Sequence, residues 1–177
     1  MVLESSPVFA TILNRRSIRA FSPVEIPKNH IDQFLEALRW APSAGNRQPW
    51  HFYVILNKEI QGKLARAAFQ QDFISQAGVV FVVCGISEQS AKRYGERGKT
   101  LYVFQDTAAA IQNLLLLATD MGYGTCWVGA FDEAQVSEIL SLPEGQRPLA
   151  LIPVGQAAEK PVPPPRRQIE QTVTILE

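Results

Sequence analysis

The chain has 177 residues, 46% hydrophobic and 19% charged, with 17 Lys+Arg balanced by 17 Asp+Glu. That length and apolar content predict one globular domain with a core large enough to fold, and exclude a disordered chain. Zero net charge argues against nucleic acid as a main partner, and the longest apolar runs, such as Asn113–Ala118 and Gly78–Ile86, are too short to span a bilayer.

The start, Met1–Ser6, has no basic stretch followed by an apolar one, so no secretory leader is expected and the chain reads as cytoplasmic. Ser6–Arg15 reads as a short helix, with Ser6 as cap and Pro7 at the first helical position. Asn14–Phe21, N-R-R-S-I-R-A-F, follows. Arg15, Arg16 and Arg19 crowd around Ser17 in an otherwise uncharged balance, and such a local cation cluster calls for an anion. The planar guanidinium fork matches phosphate or carboxylate, and the serine hydroxyl can donate or accept. The bland alternative is a solvated loop whose arginines pair with surface carboxylates.

Two prolines keep Ser22–Pro27 extended. Lys28–Trp40 is an amphipathic helix, with Ile31, Phe34, Leu35 and Leu38 at helical spacing. Pro42–Trp50, P-S-A-G-N-R-Q-P-W, is a polar loop feeding the strand His51–Leu56. Lys58–Phe69 is helical, Asp72–Ala77 a short continuation, and the four-valine run Gly78–Ile86 the central strand, buried on both faces. Ser87–Thr100, charged and carrying Gly95 and Gly98, reads as a mobile loop or frayed helix. Leu101–Met121 is the longest helix, apolar nearly all round, so a second subunit is expected to cover part of it. Gly122 ends it. Thr125–Val128 is a strand, and Glu133–Leu140 a helix capped by Asp132. Leu149–Val154 is a strand in which Pro153 suggests an edge or a bulge, and Thr172–Leu176 is a candidate last strand. Between them, Glu159–Pro165 is a proline-rich extended arm, followed by the cation pair Arg166 and Arg167.

Cys84 and Cys126 sit in apolar runs without C-x-x-C spacing and read as buried reduced thiols; His30 and His51 are too isolated for a metal site. No G-x-x-x-x-G-K-[ST] or G-x-G-x-x-G loop is present, and no nucleophile elbow, so an anion must be held by arginines and loop amides. No acid–base pair stands out, and chains without catalytic side chains usually borrow a cofactor.

R-R-S-I-R-A-F, then A-P-S-A-G-N-R-Q-P-W-H-F, then G-Y-G-T-C-W-V-G-A-F-D, then the late arginine pair together resemble the nitroreductase family of FMN flavoproteins, in order and over nearly the whole chain. The resemblance implies an α+β fold, a mixed β-sheet flanked by helices, in an intertwined homodimer with two shared sites. It implies a single domain over residues 1–177, with 157–177 an arm reaching the partner subunit. It assigns the phosphate and pyrimidine edge of FMN to Arg15, Arg16, Ser17 and Arg19, and contacts from the other subunit to Pro42, Ser43, Ala44 and Asn46, with Gln48 supporting that loop. Val128, Gly129 and Ala130 match the main-chain groups at the flavin's central ring, and Arg166 and Arg167 the late phosphate contacts; Gln70 and Gln71 fall where the family often has a flavin contact. The implied activity is two-electron transfer from NADH or NADPH to a small-molecule acceptor, nitroaromatic or quinone, by a ping-pong mechanism. The Glu…Tyr…Lys lid of the flavin-dependent dehalogenases is missing between Asn57 and Ala77, which argues against dehalogenation. A flavin-destroying, benzimidazole-synthase-like branch and a non-catalytic flavin-binding module are the alternatives.

Overall fold

The structure, a computed structural model, describes residues 6–177; the leader reading of Met1–Ser5 lies outside the described residues. Helix α1 (Pro7–Asn14) starts on a proline whose missing N–H has no helical partner to lose. The short strand β1 (Phe21–Ser22) leads to α2 (Lys28–Arg39), which buries Ile31, Phe34 and Leu38 as the spacing required. A single 3₁₀ turn, Ala44–Asn46, precedes β2 (Trp50–Ile55). Helix α3 (Lys58–Ala67) is capped by the Asn57 side chain, which accepts the Ile60 N–H at 3.0 Å. The short α4 (Phe73–Gln76) then leads into β3 (Val79–Ile86).

Ser87–Thr100 is not a mobile loop. Residues Ser87–Arg97 form α5, and Gly98–Tyr102 a π turn that runs into α6 (Val103–Asp120). Gly95, at φ 55°, lets α5 fold back, and Gly98 lies so close to Ser90 that a Cβ would sit 2.7 Å from its main chain. The glycines that weaken the helical pattern in the sequence are the ones this tight corner requires. The 34-residue helical run Ser87–Asp120 is, by length and composition alone, sufficient to cross a membrane, but its apolar residues Ala110, Ile111, Leu114, Leu115 and Ala118 are used in the core.

Strand β4 (Gly124–Thr125), helix α7 (Glu133–Leu140) and the long β5 (Gln146–Ala157) complete the fold. Asp132 caps α7 as expected, accepting the Ala134 and Gln135 N–H groups at 2.9 and 3.0 Å. The strand order is β1-β5-β3-β2, with β4 also pairing β5, and every named pair is antiparallel. A parallel bridge, Ser17 to Thr125, gives the sheet its mixed character. The fold is α+β, with helices on both faces of the sheet. Val79, Phe81 and Val83 of β3 point to a layer with α2 and α6, while Val80, Val82 and Cys84 point to one with α3, α4 and α7. All six side chains are fully buried.

Pro153 marks neither an edge nor a bulge. β5 is an interior strand, and its one register shift against β3 lies between Val83 and Cys84. The N and C=O of an antiparallel residue face the same neighbour. Pro153 C=O accepts the Cys126 N–H, so its missing donor faces Cys126, where β4 stops. The predicted strand Thr125–Val128 is therefore interrupted, resuming as a bridge between Val128 and Leu151. Thr172–Leu176 forms no strand; a 3₁₀ turn at Ile169–Gln171 precedes it, and Thr172–Leu176 itself lies exposed with no neighbouring strand.

Candidate functional site

Asn14–Arg19 runs beside β4. The Ile18 N–H donates to the Thr125 carbonyl at 2.8 Å, and buried Ile18 packs on Gly124, where a Cβ would approach it to 2.8 Å. This fastening turns Ile18 inward and leaves its neighbours outward. Arg15, Arg16, Ser17 and Arg19 line one cleft of about 330 Å³, with Pro161, Val162, Pro164 and Arg166 of the proline arm as its other wall. Among the described residues none of these four arginines is in an ion pair. Arg16 donates to the Leu13 and Arg15 carbonyls at 2.6 and 2.8 Å, and Arg166 makes only long contacts to Pro164 and Pro165 carbonyls. The surface ion pairs of the bland reading are not formed. Among the described residues, Glu159 is the carboxylate that bonds this strand, and it accepts the main-chain N–H of Arg19 rather than a guanidinium.

Arg167 is turned elsewhere, donating to the Gln171 carbonyl at 2.7 Å. Of the late pair, only Arg166 reaches the cleft.

Beneath the cleft lies Cys126. Burial pushes its thiol above the ordinary value, while the Arg19 charge, the Ser17 hydroxyl and Arg15 pull it partly back. Along the same strand, Val128 is fixed by reciprocal main-chain bonds with Leu151 at 3.0 Å. Gly129 and Ala130 are exposed, and neither N–H donates to a protein acceptor among the described residues. A Cβ on Gly129 would meet nothing within 4 Å, so a planar ring can approach this main chain unobstructed. Gln71 holds the segment in place, donating to the Ala130 carbonyl at 3.0 Å and the Ala68 carbonyl at 2.8 Å. Phe69 and Gln70, both at positive φ, make the turn that brings it there.

The loop Pro42–Gln48 is built differently. The Ser43 hydroxyl accepts the Gln48 N–H at 2.9 Å, and Gln48 donates to the Asn46 side chain at 3.2 Å. Gly45, Asn46 and Gln48 all have positive φ. The Ala44 N–H donates to Oδ1 of Asp106 at 3.0 Å. The loop thus hangs from the first turn of α6, whereas the cation strand shares clefts with Gln112 and Thr119 in its C-terminal half. At 1.5 Å per residue these lie roughly 10–20 Å apart along the helix. Within one chain, none of the clefts that the cation strand lines is also lined by the loop.

Sequence reasoning did not single out Asp106, Gln89 or Glu159. Asp106 had a signal: it is the sole carboxylate between Leu101 and Thr119 in a helix that is otherwise apolar. These residues suit a phosphate-bearing ring cofactor: guanidiniums in no ion pair among the described residues, a hydroxyl, and open main-chain donors beyond β4.

Comparisons with known proteins bear on the family and the fold. The sequence model of the Nitroreductase family matches residues 12–71 and 61–156. A protein of Methanothermobacter thermautotrophicus, provisionally named an NADH dehydrogenase/NAD(P)H nitroreductase, is 34% identical over 158 residues, covering 87% of this chain and 79% of its own. Nitroreductase A from Vibrio parahaemolyticus superposes with a TM-score of 0.89 at 26% identity, over 98% of this chain and 77% of that one. The NADPH:FMN oxidoreductase from Vibrio harveyi, solved with NAD+, does so at 0.88 and 27% identity, over 97% and 78%. With its motifs, its fold and most of its length in agreement, the chain belongs to the nitroreductase family of NAD(P)H-dependent oxidoreductases.

Proposed function

We propose that this protein is a cytoplasmic homodimeric FMN enzyme that takes two electrons from NADH or NADPH and delivers them to nitroaromatic or quinone-type acceptors in alternating half-reactions. The observation that carries the reading is the row of arginines, without carboxylate partners among the described residues, on the segment that runs beside β4, with the open Gly129–Ala130 donors a few residues beyond β4. Bound FMN would supply the redox chemistry. Arg15, Arg16, Ser17, Arg19 and Arg166 would hold its phosphate, and the Gly129 and Ala130 N–H groups would face its central ring. Donors fixed there favour negative charge on the ring without reorganising, as an oxyanion hole does.

What one chain leaves uncovered supports the dimer. α1 has no buried residue, and its Val8, Phe9, Ile12 and Leu13 are 62%, 51%, 46% and 54% exposed. A groove of about 410 Å³ between α2 and α6 is lined by Asp32, Gln33, Glu36, Ala37, Trp40 and Leu117, and the residues after the arm expose Ile169, Val173, Ile175 and Leu176. Apolar surface on this scale marks an interface, here one above about 2,000 Å². A second copy would also bring its Pro42–Asn46 loop to the first chain's cation strand, which one chain by itself does not do. Leu115 is buried in the chain's own core, so Leu117, on the groove, is the position that tests the interface.

The test is to load the purified protein with FMN, remove free flavin, and add NADH or NADPH anaerobically. Dimeric protein that keeps its colour and bleaches with one nucleotide is expected; Leu117→Asp should lose the dimer and the flavin together. Flavin that is retained but bleached by neither nucleotide would make this a flavin-binding module. A sedimenting monomer that holds FMN would overturn the shared site.

A further inference from the structure

The corner formed by α5, the π turn and the start of α6 grips the Pro42–Gln48 loop at three places. At the first, Asp106 is 6% exposed, and its Oδ1 takes the Ala44 N–H at 3.0 Å. Its Oδ2 is buried with no hydrogen-bond partner among the described residues. At the second, Arg47 and Gln89 exchange hydrogen bonds: Arg47 Nε donates to the Gln89 carbonyl at 3.2 Å, and Gln89 Nε2 to the Arg47 carbonyl at 2.8 Å. At the third, the Tyr94 hydroxyl and an Arg93 guanidinium nitrogen lie 2.4 and 3.2 Å from where a Cβ on Gly45 would be. The loop meanwhile carries three residues at positive φ, two of them not glycine, a conformation that persists only when its surroundings enforce it. A carboxylate buried in an apolar helix with one oxygen unpaired is costly, and it is spent on a single loop amide.

We propose that Asp106, seconded by Gln89, is a positioning residue: it holds the Pro42–Gln48 loop in the one conformation that can dock against a cofactor bound in the other subunit. This rests on the FMN reading above. Asp106 touches no reacting atom in that arrangement. It acts through the Ala44 N–H, and the α5 corner supplies the rigid backing that a self-bonded but strained loop lacks. The sequence region of α5, charged and glycine-bearing, is thereby a structural support of the site rather than a solvated appendage.

The experiment compares Asp106→Ala, Asp106→Asn and Gln89→Ala with the parent protein. Two quantities are read: the FMN dissociation constant of the full-length protein, and amide hydrogen exchange of the peptide spanning residues 42–48 without flavin. Asparagine keeps an oxygen that can accept the Ala44 N–H. Asp106→Ala should weaken FMN binding about 10- to 100-fold, the scale of one lost bond to a charged acceptor. It should also speed exchange in the loop while leaving exchange in the β3 peptide unchanged. Asp106→Asn should restore both to within about threefold, and Gln89→Ala should speed loop exchange on its own. Alanine at 106 with unchanged loop exchange, or asparagine as damaging as alanine, would overturn the proposal. Should Asp106→Ala fail to fold, unchanged loop exchange in Gln89→Ala overturns it instead. A parent protein that binds no FMN would refute the cofactor reading, while the loop-exchange comparison still decides this one.

Discussion

The cation strand and the Pro42–Gln48 loop are both polar interruptions between apolar elements, yet they are stabilised in opposite ways. The loop's polar groups are paired within it and with the α5–α6 corner: Ser43 with Gln48 and Gln48 with Asn46 inside it, Ala44 with Asp106 and Arg47 with Gln89 outside. The strand differs. It is fastened through Ile18 to Thr125 and Gly124, and its arginines face the proline arm without carboxylate partners. Like charges gathered around one cleft repel until an anion arrives, so on the proposed reading that half of the site would gain stability from its ligand. A pre-bonded loop gains little stability and contributes shape instead. The difference teaches where binding energy and where selectivity reside: charge in one region, geometry in the other.

The sharpest way to break the comparison is at Gly124. Valine there drives its Cβ into Ile18 and lifts the cation strand from β4. Overpacking of this kind costs about 1–3 kcal/mol. Thermal unfolding should show that loss, flavin retention should be abolished, and hydrogen exchange in the 42–48 loop should stay as it was. A second variant removes charge and leaves the backbone alone. Arg15→Ala with Ser17→Ala should weaken FMN retention by about 10- to 100-fold per lost charge-assisted bond, on the order of 1.5–3 kcal/mol each. Added salt should weaken the parent's FMN binding and the double variant's less. Full retention in the double variant would remove the strand from the site.

The two cysteines give the smallest effect and a titration that separates the regions. Cys84 pairs in register with His51, just past the loop, and burial pushes its thiol up to about 12. Cys126, under the cation strand, is raised too, but neighbouring cations and Ser17 offset part of the burial. A buried thiol that stays protonated while the unfolded chain ionises near 9 stabilises the fold fully below that pH. The contribution then falls by about 1.4 kcal/mol per pH unit as pH rises toward the folded value. Denaturant unfolding at alkaline pH should show this slope, and Cys84→Ala should flatten it. Cys126→Ala should leave turnover within about threefold, since a lone buried thiol behaves as a small core hydrophobe.

Much of this was legible from residue pattern. α2 and β3 announced themselves because one face or both faces of each are buried, and burial leaves a period or an unbroken apolar run in the sequence. The cation strand stood out by its residue types, whereas Gly129–Ala130 was singled out only through the resemblance to the nitroreductase family. The α5 corner was not legible, because its determinants are two glycines and a close contact with Ser90, which look locally like breakers. Thr172–Leu176 has the β-branched composition of a strand, but strands need a neighbour and none is within reach of these residues. Asp106 and Gln89 act on main-chain groups about sixty and forty residues away, and such pairings leave no local trace.

The cation cleft has one wall from Arg15–Arg19 and another from Pro161–Arg166, nearly the two ends of the described chain. In time rather than space, this means the cleft cannot exist until Pro161–Arg166 has been made. At roughly 5–20 residues per second, its second wall leaves the ribosome about 7–30 s after the first. β2 and β3, neighbours linked through α3 and α4, can pair with each other before then, whereas β5, which completes the sheet, is made only just ahead of Pro161. On the proposed FMN reading, cofactor capture would therefore wait until the strands of the sheet have been made, and a shortage of flavin would leave folded protein with an open anion cleft rather than unfolded chain.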